Sequence, residues 1–288
     1  MVSLGIKKEN MHIDLQHISG YGERWVPGEG SSESAYEHLH RYYIAREHAI
    51  GKRVLDVASG AGYGSDLLAE VALEVVGLDC SEIAVQYASE TYVRPNLSFL
   101  RGDAEKLPFG AGSFDLVTSF ETLEHLSSED QESFLNDVMR VLSADGLFLM
   151  STPNRPTYNC NNRFHICELD LDELYKMLST RFPFVKISGQ STLAVSAVFS
   201  FGIPSEHIKE WVIYRPGGEY LPTTAGGKPA RFFLAAASRV PLPPHIPEDS
   251  YLIDASSSLL REGEEALQWG DKLRNLVRPL FDMVSKFM

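Results

Sequence analysis

The chain's 288 residues, 44% hydrophobic and 23% charged, suffice to close a hydrophobic core and exclude disorder as the dominant state. A formal charge of −13 with no local basic stripe repels a phosphate backbone and argues against a nucleic-acid substrate. No apolar run reaches membrane-span length, the N-terminus lacks a secretory layout, and Cys80, Cys160 and Cys167 form no CxxC pair, which predicts a cytoplasmic protein without disulfides.

Residues 1–50 are polar and glycine-punctuated at first. They then turn helical from Glu33 to Arg46, with Tyr36, Leu39, Tyr43 and Ile44 spaced for one face and Ser32 or Ser34 placed to cap. From there short β-branched runs alternate with amphipathic stretches of helical length. Strands are expected at Val54–Val57, Glu74–Leu78, Leu97–Arg101, Phe114–Ser119 and Gly146–Ser151, and helices at Tyr63–Val71, Glu82–Thr91 and Glu129–Leu142. Such alternation predicts parallel βαβ units with right-handed crossovers, hence an α/β, Rossmann-like, doubly wound sheet. A loop with Asn154, Asn159, Asn161 and Asn162 follows, then a helix at Leu171–Ser179 and a strand near Phe184–Ser188. Residues 191–229 fit no βα repeat and read as an insertion of the kind that shapes an acceptor pocket, and Arg231–Ser238 reads as a buried closing strand. Four prolines between Val240 and Pro247 make a stiff linker to a helical element over 250–288. Its stripe of Leu273, Val277, Leu280, Val284 and Phe287, broken by Pro279, suits either docking on its own domain or a dimer or partner contact. The expected organisation is thus a lid segment and helix (1–50), one domain (51–239) with its insertion, a linker (240–249) and the terminal helical element.

The strongest chemical signal is V-L-D-V-A-S-G-A-G-Y-G-S, Val54 to Ser65, between the first strand and its helix. Gly60 and Gly62 let the backbone bend sharply and approach a ligand. A nicotinamide enzyme would place a third glycine where Ser65 stands, and Asp56 would repel a pyrophosphate, whereas an acid suits the ammonium end of an amino-acid-bearing cofactor. Asp79 ends its strand 19 residues after Gly60, placed to accept from both ribose hydroxyls. After the third strand, the Asp103 side chain can accept from an adenine amine and the Ala104 amide can donate to a ring nitrogen. Phe120 supplies an apolar wall.

Taken together, these residues resemble the class I S-adenosylmethionine-dependent methyltransferases. Lys52 to Asn154 carry the resemblance, with Asp56–Gly64 as the glycine loop, Asp79 as the ribose acid, Gly102 to Phe109 as the adenine segment, and F-D-L-V with Glu121 to Leu126 as the fourth strand and its loop. The resemblance implies a seven-stranded sheet whose last strand, RFFLAAAS, runs antiparallel. It also implies S-adenosyl-L-methionine as cofactor, with Ser59, Cys80 and Glu121 counted among its contacts. One departure is Ala58-Ser59, where the family more often has Gly-Cys or Gly-Thr. Gly22–Gly28, Glu37–Tyr42 and Asn162–Leu169 look like segments of methyltransferases from bacterial polysaccharide and sugar pathways. That looser similarity implies that Arg24 and Trp25 fold over the cofactor and that the Asn162–Leu169 loop borders a carbohydrate-like acceptor.

An oxygen nucleophile loses a proton during methyl transfer, so a side chain near neutral pKa is expected close by. His125 and His165 are the candidates, with Glu124 beside them, while Glu121 and Glu124 could instead hold an amine. No carboxylate–histidine set shows regular metal spacing along the chain, so no metal is expected. The leading expectation is O-methylation of a sugar, glycan or related small molecule. The alternatives are an N- or C-methyltransferase of another small molecule, and a silent scaffold that holds a glycosyltransferase through the C-terminal helix.

Overall fold

A computed structural model of the chain describes residues 25–27, 32–158, 162–192, 212–214, 221–223, 230–244, 246, 250 and 252. Arg24, most of the predicted insertion and nearly all of the predicted C-terminal helical element lie outside them. By contacts the chain divides into two compact units, Met1–Ala104 with Glu248–Met288, and Glu105–Pro247.

The first unit begins with α1, Ser32–His48. Strands β1 (Arg53–Val57), β2 (Glu74–Asp79) and β3 (Leu97–Arg101) follow, with α2 (Tyr63–Ala69) and α3 (Glu82–Thr91) between them. Both strand pairs are parallel, Val54 facing Val75 and Val75 facing Leu97. Ser81 caps α3 by accepting from the Ala84 amide at 3.3 Å, which satisfies one of the helix's unpaired donors. Helix α1 corrects one sequence expectation. Its buried face is Ala35, Glu37, Arg41, Tyr42 and Ala45, with Tyr43 42% exposed. Large apolar residues mislead here because small alanines let the helix pack closely and its buried polar residues serve the site.

The second unit holds β4 (Phe114–Phe120), a 3₁₀ turn (Leu123–His125), α4 (Ser128–Val141), β5 (Leu142–Pro153), α5 (Leu171–Ser179), β6 (Phe184–Gln190), a short hairpin β7–β8 (Val212–Tyr214 and Leu221–Thr223) and β9 (Phe232–Ser238). Helix α4 buries Phe134, Leu135, Val138 and Val141, and Phe148 of β5 lies between the rings of Phe134 and Phe182. Strand β5 runs longer than its apolar core predicts because Leu142 already pairs with Phe114 before a register shift. Every residue of β9 is buried, as its unbroken apolar run predicts.

Seven strands form one sheet in the order β3-β2-β1-β4-β5-β9-β6. Strands β4 and β5 are parallel, while β9 runs antiparallel to both β5 and β6. The order grows outward from β1 to β3 and then restarts at β4, the switch point beside which open α/β sheets bind ligands at the strands' carboxyl ends. This is the Rossmann-like sheet with an antiparallel last strand that the sequence predicts. Among the described residues no helix is long and apolar enough to cross a membrane.

Candidate functional site

In the first unit the chain leaves β1 through a loop of left-handed residues, Ala58 (φ 58), Gly60 (φ 56) and Gly62 (φ 84). Ala58 stands where glycine would be free of strain, so the departure from the family pattern has a backbone cost. The loop is held by hydrogen bonds: the Ser59 amide donates to Leu78 O at 3.0 Å, and the Gly60 amide to Asp79 Oδ2 at 2.9 Å. Asp79, almost wholly buried, accepts the Ser81 amide on its other oxygen at 2.8 Å. Each carboxylate oxygen has a second lone pair, so this anchoring is compatible with accepting ribose hydroxyls.

A Cβ on Gly62 would lie 2.6 Å from Ala88 Cβ and 2.8 Å from the Phe99 ring, so packing against α3 and β3 itself requires glycine here. Asp56, expected to face an ammonium group, is fully buried, taking the Ser65 hydroxyl at 2.6 Å and the Tyr42 hydroxyl at 3.2 and 3.3 Å, bonds that join α1 and α2 to the end of β1. A Cβ on Gly64 would overlap the Tyr42 ring at 1.9 Å, which explains the glycine there.

Tyr63 of α2 gathers an aromatic group with Tyr42 and His38 of α1 and with Trp25, which precedes α1. Tyr63 meets Trp25 edge-on at 4.6 Å and Tyr42 at 5.3 Å, while Trp25 stacks on His38 at 5.6 Å. His38 Nδ1 and the Tyr63 hydroxyl are 2.9 Å apart. Burial and the nearby Arg41 charge lower the His38 pKa to about 3, so its ring stays neutral and the Tyr63 hydroxyl can donate to it.

An adenosyl cofactor fits these residues. Ser59 Oγ is buried without a hydrogen-bond partner inside the glycine loop, and Asp79 holds the Gly60 and Ser81 amides beside it. Asp103 is exposed and Ala104 half-buried. Cys80 is exposed, and its carbonyl accepts from Arg101 Nε at 3.3 Å.

In the second unit, the segment after Ala104 is clamped by α4. Asp137 Oδ2 accepts the Leu107 amide at 2.6 Å, and Arg140 donates to the carbonyls of Leu107 and Phe109. The Arg140 hydrogen bond holds the Asp137 carboxyl below the usual carboxylate range.

At the end of β4 buried Phe120 precedes Glu121, whose left-handed backbone (φ 56) is fixed by its amide donating to Ser151 O at 3.1 Å. The Ser151 hydroxyl donates in return to Glu121 Oε1 at 2.6 Å. The following 3₁₀ turn presents Glu124 and His125. Glu124, wholly buried, accepts the Thr152 hydroxyl on Oε2 at 2.9 Å. Its carbonyl accepts the Ile166 and Cys167 amides at 2.7 and 3.1 Å, tying the turn to the loop of residues 162–169. Buried Gln131 reinforces this by donating to Leu123 O and Cys167 O at 2.8 and 2.9 Å.

The two histidines therefore meet. His125 Nδ1 lies 3.0 Å from Phe164 O, and because a carbonyl only accepts, Nδ1 carries the proton. His165 Nδ1 lies 2.6 Å from Glu168 Oε1, which orients its ring in the same way. The rings meet edge-on at 5.1 Å, and His165 stacks on Tyr158 at 5.2 Å. Tyr158 packs against Phe232, with the Arg231 guanidinium 5.5 and 5.4 Å from the two ring centroids.

One carboxylate oxygen of Glu124 and one ring nitrogen each of His125 and His165 lie within 4.8 Å of one another. The absence of metal-like spacing along the chain thus says little, because contacts spanning 39 positions bring the residues together. Sequence reasoning finds Glu124, His125 and His165 but misses Glu168, Gln131, Thr152 and Tyr158, which position them. A cavity of about 720 Å³ in this unit, lined by Ser128, Arg155, Cys167 and Met177 among others, lies along α4 and α5 and contains none of the candidate acids or histidines.

Residues 55–150 match the model of a family described as a methyltransferase domain. Over 165 residues the chain is 37% identical to a probable S-adenosylmethionine-dependent methyltransferase of Mycolicibacterium smegmatis, covering 55% of this chain and 63% of that one. It is 34% identical over 148 residues to a fatty-acid O-methyltransferase of the same organism, covering 48% and 53%. The chain spans between about half and two thirds of the length of these curated relatives. Among solved structures it is similar to the YcgJ protein of Bacillus subtilis, with a TM-score of 0.51 at 22% identity over 70% of this chain and 100% of that one, a likeness of fold.

Proposed function

We propose that this chain, whose residues 55–150 match a methyltransferase-domain family, uses S-adenosylmethionine to transfer a methyl group to an oxygen of a sugar, glycan or related small molecule. The observation that carries the reading is the convergence of His125 and the His165–Glu168 pair beside Glu124, in the loops that follow β4 and β5.

The cofactor when bound supplies a methyl already activated on a sulfonium. The protein's tasks are to hold it, to align the acceptor and to take the acceptor's proton, and alignment in favourable cases contributes ~7–11 kcal/mol. Asp79, Ser59 and the glycine-loop amides are assigned to holding, with Asp103 and Ala104 at the base and Cys80 and Arg24 as further contacts. Phe120 and Glu121 are assigned to the same cofactor. His165, its Nδ1–H turned to Glu168, presents Nε2 as the proton acceptor, and His125 is oriented to share that task. As the new O–CH₃ bond forms and the S–CH₃ bond breaks, the hydroxyl proton passes to this cluster. The aromatic wall of Tyr158 and Phe232 with Arg231 suits the apolar face and hydroxyl rim of a sugar ring.

A second reading is favoured by the fatty-acid O-methyltransferase among the relatives, whose name specifies a lipid acceptor. Incubation with S-adenosylmethionine and parallel panels of nucleotide sugars and fatty acids, read as S-adenosylhomocysteine formed, separates the two. Turnover on the sugar panel that falls about 10²–10⁴-fold in His165→Ala is expected. Turnover confined to fatty acids overturns the sugar acceptor, and no cofactor binding by calorimetry overturns the enzyme reading in favour of a scaffold.

A further inference from the structure

We propose that Glu124, His125 and His165 bind a divalent transition-metal cation. The inference deepens the function just proposed, since a cation there would act on the same acceptor oxygen: with both Nε2 lone pairs ligated, the ion would acidify the bound hydroxyl and its proton would pass to solvent instead of to His165. It rests on that reading only for its chemical use.

Three donors of the right kind stand within 4.8 Å of one another, one carboxylate and two imidazoles. Zinc-like cations hold such atoms at about 2.0–2.2 Å, which puts donors on one face of the ion about 3–3.5 Å apart. Contraction of an ångström or so, within reach of small side-chain rotations, would close the site around an ion. Among the described residues this is the cluster of His, Cys, Asp and Glu with that geometry.

A second observation concerns the Nδ1 edge of each ring. His125 Nδ1 is committed to the Phe164 carbonyl at 3.0 Å, and His165 Nδ1 to the Glu168 carboxylate at 2.6 Å. A neutral imidazole protonated at Nδ1 carries its lone pair on Nε2. Outer partners of this kind, a backbone carbonyl for one histidine and a carboxylate for the other, are what metal-bound histidines regularly have, because they fix the tautomer and raise ligand basicity. A histidine acting only as a base needs one such partner. Here both rings have one, and the rings face each other edge-on at 5.1 Å.

The supporting frame is equally specific. Glu124 O accepts the Ile166 and Cys167 amides, and Gln131 bridges Leu123 O and Cys167 O. These bonds hold the two ligand-bearing loops in register. Glu124 itself is steadied by Thr152, so its carboxylate is oriented before any ion arrives.

Two histidines and one carboxylate leave coordination positions open for acceptor oxygens. The nitrogen donors select Zn²⁺, Co²⁺, Fe²⁺ or Mn²⁺ over Ca²⁺ and Mg²⁺. An acceptor with adjacent oxygens would suit those positions best.

The test uses the full chain, freed of any affinity tag and stripped with chelator. Co²⁺ is titrated while visible d–d absorption is followed, and Zn²⁺ binding is measured by calorimetry. The expected result is one site per chain, weakened at least 100-fold in His125→Asn and in His165→Asn, and about 10–100-fold in Glu168→Gln, which alters only an outer partner. S-adenosylhomocysteine affinity measured on the same variants should stay within about twofold of wild type, which also certifies their folding. If a histidine variant fails this control, Glu168→Gln carries the test alone. Absence of stoichiometric Co²⁺ binding by the wild type overturns the proposal, as does binding that survives both histidine substitutions. A wild type that turns over in chelator, binds no metal and is inactivated by His165→Ala would overturn the cation while leaving the methyltransferase and its histidine base intact.

Discussion

If Asp56 anchors the glycine loop rather than touching a ligand, its two hydroxyl partners should contribute unequally and in a predictable order. Ser65 Oγ donates at 2.6 Å, whereas Tyr42 divides one proton between two oxygens at 3.2 and 3.3 Å. Hydrogen bonds to charged groups contribute about 1.5–3 kcal/mol, so Ser65→Ala belongs near the upper figure and Tyr42→Phe near the lower. The Phe ring keeps the edge-on contact with Tyr63, which isolates the hydroxyl. For a domain of this size each kcal/mol lowers Tm by about 2–4 °C, giving losses of roughly 3–6 °C for Tyr42→Phe and 6–12 °C for Ser65→Ala. Chemical denaturation gives the free energies, and calorimetry gives S-adenosylhomocysteine affinity on the same samples. Affinity should fall less than tenfold in both, against near-complete loss in Asp79→Ala. A Tyr42→Phe variant of native stability that no longer binds would refute the anchor role and restore Asp56 as a ligand contact. Losses in the reverse order would refute the geometry.

Two further outcomes follow from backbone strain and from burial. Ala58→Gly should stabilise the protein by about 0.5–1 kcal/mol, since a left-handed non-glycine residue costs roughly 1–2 kcal/mol and glycine's extra unfolded-state entropy returns about 0.5–1; a Tm that falls would contradict this. His38, with a folded pKa of about 3 against 6.5 unfolded, binds its proton less readily when folded. Its contribution is therefore complete above pH 6.5 and lost as pH falls from 6.5 toward 3, with a slope of at most about 1.4 kcal/mol per pH unit. Urea unfolding of wild type and His38→Phe across that range should show a shallower acid limb in the variant, and identical limbs would count against a buried neutral ring.

How much of this was legible in the chain depends on how far apart the cooperating residues lie. Strand β2 and helix α3 could be read because a short run around the Val75-Val76 pair, and the amphipathic stretch from Glu82 to Thr91, are local signals. Asp56, Asp79 and Asp103 were found for the same reason, since each lies within or just past the carboxyl end of its strand. What each acid does was less legible. Asp79 bonds the Gly60 amide 19 positions back, and Asp56 depends on a hydroxyl from a helix that precedes β1. In α1 the apolar spacing pointed to Tyr43, which is exposed, because the buried face is built of alanines and of polar groups whose partners are tertiary. The histidine pair was the hardest case, since long-range bonds, those of Glu124 O, Gln131 and His125 Nδ1 among them, bring its loops together.

The two non-glycine residues with left-handed backbone among those described support the same division of labour. Ala58 follows the last residue of β1, and Glu121 follows the last residue of β4. At each point the chain turns as it leaves the carboxyl end of a parallel strand, where this class of sheet places its ligands. Strain of that kind persists only where surrounding bonds over-determine it. For Glu121 those bonds are visible: its amide gives to Ser151 O, and its carboxylate receives the Ser151 hydroxyl, so backbone and side chain are pinned to the same neighbour. A glycine would make the turn without strain but would lose the carboxylate that the turn presents. A glutamate at a strained position is therefore an observation, independent of the histidines, that points to chemistry rather than folding as the task of the loop after β4.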